Sequence, residues 1–133
     1  MLISGKILSI EFSPYEAFIR FLDSNVDDIS AITVKSNSSD PLRGLCVNEP
    51  FELDCVLWLG HIKNISESIN TTYMRQPNGL NGAIGCGRVT DVLHSDIFII
   101  EINGVPIRLE TEIDYNISKG NFVEFTAELH SEI

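Results

Sequence analysis

The chain has 133 residues, 44% of them apolar and 21% charged, which is enough for one packed core and excludes a disordered protein. Nine Lys and Arg stand against nineteen Asp and Glu, a formal balance of −10, and a field of that sign repels phosphate backbones and anionic lipid. Nucleic acid and membrane surfaces are therefore not expected as partners; a surplus of this size would either steer a basic protein partner or simply keep the chain soluble, and charge alone does not choose between the two.

From the start, Met1-Leu2-Ile3-Ser4-Gly5-Lys6 has no basic stretch leading into a long apolar run. No later segment has the length to span a bilayer, so the cytoplasm is the expected compartment. Ser13-Pro14-Tyr15-Glu16 has the N-cap, N1 proline and N3 glutamate of a capping box, followed by Phe18, Ile19 and Leu22 at helical spacing from Tyr15. The same stretch alternates as Tyr15, Ala17, Ile19 and Phe21, so one short helix over 14–23 and a strand both stand open. Asp23, Asp27 and Asp28 form an acidic cluster without the ligand ladder of an EF-hand. Ile29 to Lys35 then reads as a strand.

Phe51, Leu53, Cys55, Leu57 and Leu59 alternate with Glu52, Asp54, Val56 and Trp58, the period of a strand with one face on a core. Ser66 to Gly82 is dense in turn-formers and reads as a long exposed connection, of the kind that is often functional or mobile; Tyr73, Met74 and Arg75 within it are a candidate contact patch. Gly82-Ala83-Ile84-Gly85-Cys86-Gly87 lacks the Lys-Ser/Thr ending of a phosphate loop and has no helix after it, so its glycines are read as permitting a turn and a strand bend. Gly85 to Leu93 is a further strand. Ile97 to Ile102, Asn103-Gly104 and Val105 to Leu109 read as a hairpin on a type I′ turn, with Pro106 facing away from any ladder partner. Glu110, Glu112 and Asp114 form a second acidic cluster. Val123, Phe125, Ala127 and Leu129 alternate with polar residues in a last half-buried strand.

The fold class expected is all-β, mainly antiparallel, with seven or eight strands in a barrel or sandwich, as one domain over 1–133. Gly5-Lys6-Ile7 with Ile10 and Ser13 is similar to Gly87-Arg88-Val89 with Val92 and Ser95, and Phe51-Glu52-Leu53 to Val123-Glu124-Phe125. Two similar β-meander halves joined by a loop at about 66–82 would explain the echo.

Chemistry has little local support. Cys46, Cys55 and Cys86 have no C-x-x-C spacing, and His61, His94 and His130 belong to no zinc motif, so neither a disulfide framework nor a metal or other cofactor is expected. No nucleophile with an adjacent base is visible, and an enzyme is not expected. In size, acidity and lack of catalytic motifs the chain resembles the small acidic immunity proteins of bacterial toxin–immunity systems, including those of contact-dependent inhibition. The resemblance implies a non-catalytic protein that neutralises a basic, nuclease-type toxin by direct binding. Its anionic surface would stand in for phosphate, with Asp23, Asp27, Asp28, Glu110, Glu112 and Asp114 as charged contacts and Trp58, Tyr73 and Arg75 as further contacts. The alternative is an OB-like ligand-binding or assembly module without enzymatic activity.

Overall fold

The computed structural model describes all residues except 25–27, 39–41, 43, 78 and 79, and the side chain of Asp28. Among the described residues there are ten strands: β1 (Leu2–Ser13), β2 (Glu16–Asp23), β3 (Asp28–Lys35), β4 (Pro50–Asp54), β5 (Val56–Ser66), β6 (Tyr73–Arg75), β7 (Gly82–His94), β8 (Ile97–Ile102), β9 (Val105–Thr111) and β10 (Phe122–Glu132). The chain is all-β, as the alternation required, with more strands than the sequence separates.

The open choice at 14–23 resolves to a strand. Ala17, Ile19 and Phe21 are fully buried while Phe18 is half-buried and Leu22 exposed, so the two-residue period matches the buried face and the helical one does not. Pro14 and Tyr15, the latter at φ 65°, form the turn between β1 and β2. The alternating run at 51–59 is likewise two strands, broken at Cys55. Leu59, expected toward the core, is exposed at φ 53°, and Gly60 takes its place inside because β5 bulges there against β9.

β7, β8 and β9 form a meander. β9 then runs parallel to β5, β5 antiparallel to β10, and β10 antiparallel to β7, which closes a five-stranded barrel. β1, β2 and β3 form another meander with β4 on its edge, and β3 joins the rest through a parallel pairing with His130, Ser131 and Glu132 at the end of β10. β10 thus belongs to both assemblies. Their details correspond: β1 and β7 bulge at Leu8 and Thr90. The amides of Ile7 and Val89 donate to the carbonyls of Glu49 and Asn121, and the carbonyls of Ile7 and Val89 accept from Asn48 and Gly120.

The described part of the 66–82 connection is largely exposed, as read, but it is tied to the sheet at several points. β6 pairs with β7, the Gln76 side chain exchanges two hydrogen bonds of 2.8 Å with the backbone of Ala31, and Asn81 Nδ2 donates to Thr33 Oγ1 at 2.8 Å. Gln76 so adds one rung to β3 on the side away from β2. The glycine-rich run is the first half of β7, where a side chain at Gly85 would strike the Tyr73 carbonyl and the Phe125 ring.

The 97–109 hairpin forms as read, with Asn103 at φ 51° and Gly104 at φ 82°. Pro106 lies before the stretch of β9 that pairs with β5, so its missing donor breaks no bond. Gly104→Val is expected to cost about 1–2 kcal/mol, because a β-branched residue resists positive φ, and to lower the melting temperature by about 5 °C. An unchanged melting curve would mean that this turn is not formed.

Candidate binding groove

Where β10 leaves the barrel for the first meander, outward-facing side chains meet across the seam. Leu57 and Leu109, paired neighbours on β5 and β9, point into the core, so Trp58, Arg108 and Glu110 point out. The β10 end brings His130 opposite Val56 and sets Glu132 beside Lys35 of β3. Asp54, at the end of β4, is tied in by Ser131, whose Oγ donates to the Asp54 carbonyl at 2.6 Å. Together they line a groove of about 450 Å³.

Trp58 is its centre. The His130 ring lies 4.9 Å from the indole, tilted by 44°, and Lys35 Nζ stands 4.2 Å from the indole centroid, within the range of a cation–π contact. His130 is only 5% exposed, with Nε2 at 3.6 Å from Glu132 Oε1, so it fixes the ring from the buried side. Arg108 and Glu110 pair at 3.5 Å, and Asp54 meets the amino group of Met1 at 2.9 Å. The groove therefore offers an aromatic face that already carries an ammonium, flanked by the carboxylates of Asp54, Glu110 and Glu132. Such a combination is chemically suited to a cationic side chain, since an aromatic ring attracts the charge and carboxylates take its donors.

The buried thiols are poorly suited to nucleophilic work. Burial pushes Cys55 up to about 12, and burial together with the Glu124 carboxylate pushes Cys86 up, so both stay protonated near neutral pH. Cys46 is exposed.

Of the residues singled out in the sequence, Trp58 and Glu110 come together in the groove. The second acidic cluster divides: Glu112 is exposed, and Asp114 lies instead beside His94 and Asp96, with one ligand atom from each within 4.8 Å of the others. Among the described residues this is the one trio placed to hold a cation, yet it is a surface turn in which His94 Nδ1 and Asp96 Oδ1 bond each other at 2.8 Å. Tyr73 and Arg75 are exposed on β6, away from the groove's lining, while Met74 between them packs on the core. Asp23 ends β2 opposite Asp28, and Asp27 lies outside the described residues.

Sequence reasoning missed Lys35, Asp54, Arg108, His130 and Glu132. The outward alternation of Arg108 with Glu110 was available as a signal. The parallel pairing of β3 with β10, which brings Lys35 to Trp58, joins segments near opposite ends of the chain and leaves no local mark.

No helix among the described residues is long and apolar enough to cross a membrane. No protein-family model, curated protein or solved structure matches the chain.

Proposed function

We propose that the protein is a non-catalytic binding protein that anchors a basic protein partner in the Trp58 groove, and that the partner is a cationic toxin which binding neutralises. The observation that carries this reading is the ammonium of Lys35 resting on the Trp58 ring, beside Asp54, Glu110 and Glu132, in a chain of net charge −10. An arginine from the partner gains more there than Lys35 does, because its planar guanidinium stacks on the indole while its donors pair with a carboxylate in two-pronged fashion. The overall field draws the partner in, and the groove holds it. The closed five-stranded barrel favours a second reading, a small-barrel module whose tryptophan stacks on an uncharged ligand such as a sugar.

Electrostatics separate the two. With the partner captured from extracts of the native host and then purified, the association rate is expected to fall about tenfold or more between low and roughly 0.3 M salt, as the field is screened. Glu110→Lys and Glu132→Lys are each expected to slow association further. A partner that is not basic, or an association rate indifferent to salt and to both reversals, overturns the proposal.

A further inference from the structure

Six residues of β1, Leu8-Ser9-Ile10-Glu11-Phe12-Ser13, leave one edge of the sheet unfinished. β4 accompanies β1 only from Leu2 to Lys6, and the amide and carbonyl of Ile7 are taken by Glu49 and Asn48. Beyond the bulge β1 pairs with β2 on one side, and on the other it has no backbone partner among the described residues for about 20 Å. The turn of two residues closes on the pair Ser13–Glu16, the position that a two-residue hairpin makes a hydrogen-bonded pair. By alternation the N–H and C=O groups of Ile10 and Phe12 face outward. The side chains agree: Ile10 and Phe12 sit opposite the buried Ile19 and Ala17, on the core side, yet Phe12 is 56% exposed, Leu8 40%, and Ile10 half-buried.

Elsewhere the molecule protects its edges. β4 opens with Pro50 and carries Glu52 and Asp54, β6 is three residues long and ends on Arg75, and the end of β7 that runs past its pairing with β10 carries Asp91 and His94. On Leu8–Ser13 the one charge is Glu11, on the outer face, and no proline interrupts the strand.

We propose that this edge is a docking strand which takes an extended segment of the basic partner, hydrogen-bonded to Ile10 and Phe12 and covering Leu8 and Phe12. The inference rests on the basic-partner reading and adds how that partner is held. A second copy is the poorer occupant, because pairing two edges brings together two chains of charge −10, whereas a cationic strand is attracted. The edge also leads toward the groove: Pro14, Tyr15 and Glu16 share a hollow of about 290 Å³ with Lys35 and Glu132, and these two residues line the Trp58 groove as well. One partner can span both.

The probe is a capped seven-residue peptide of alternating lysine and valine, read by residue-resolved amide hydrogen exchange. Exchange at Ile10 and Phe12 is expected to slow about tenfold or more when the peptide binds. Phe12→Pro, which removes an outward donor and no ladder bond, should weaken the peptide about tenfold or more, while Phe12→Val keeps it within about threefold. Slowing elsewhere only, no slowing at all, or equal effects of the two substitutions overturns the inference. Protection of Ile10 and Phe12 by the protein alone, rising with its concentration, also overturns it, in favour of a second copy. The purified basic partner gives the decisive comparison. If it depends on Trp58 but leaves Ile10 and Phe12 unprotected, the edge inference fails and the functional reading stands; if the captured partner is not basic, that reading fails and the inference with it.

Discussion

Replacing Phe125 with alanine is expected to remove about 3–5 kcal/mol of stability, and Phe21→Ala a similar amount. Phe125 is 2% exposed at the centre of β10, and its ring tip lies so close to Gly85 that even a methyl group there would stand 2.9 Å from it. With the β7 backbone held by β6 and β10 on either side, the wall cannot collapse into the space the ring leaves. Phe21 is fully buried in the first meander, edge-on to Phe51 with ring centroids 4.9 Å apart. The two phenylalanines sit in different assemblies but in one continuous core, and β10 is a strand of both. Calorimetry should therefore show a single transition, lowered by about 10–15 °C in either variant. Two transitions, each moved by one substitution alone, would contradict a shared core.

What could be read from the sequence was whatever local chemistry decides. Asn103-Gly104 names its own turn, and the alternation through Val123 to Leu129 names a half-buried strand, because neither depends on distant partners. Residues 14–23 show the limit of that logic. Ser13, Pro14 and Glu16 satisfy the rules for starting a helix, but the helical face would have exposed Ala17 and Phe21, and packing against β1 and β3 outweighed the cap. Leu59 and Gly60 failed for a related reason: the bulge that reverses them answers to the close approach of β9, which lies far along the chain. The Ser66 to Gly82 stretch has a loop's composition, and yet Gln76 and Asn81 tie it to β3 with side-chain bonds that no periodicity reveals.

The groove was legible by halves. Trp58 was named as an aromatic contact and Glu110 as a member of an acidic cluster, but nothing in their spacing placed them side by side. Their meeting depends on the parallel register of β5 with β9, and Lys35 and His130 join them through the equally distant register of β3 with β10.

In the proposed function Trp58 anchors a basic partner. Trp58→Ala is expected to weaken that complex by about 2–4 kcal/mol, roughly 30- to 1,000-fold in Kd, as a central aromatic contact does when truncated. Trp58→Phe keeps a ring with a weaker negative face and should lose about tenfold or less. Lys35→Ala should act in the opposite direction, tightening the complex a few-fold, because the partner's cation no longer has to displace an ammonium held 4.2 Å from the ring. Stability should change little in all three, since Trp58 is partly exposed on the outer face while Leu57 and Leu109 keep the core. The most direct measurement is calorimetric titration of the purified basic partner into the wild type and Trp58→Ala side by side. A loss of 30-fold or more in affinity with the melting temperature preserved is the result this account predicts; equal dissociation constants for the two proteins would contradict it.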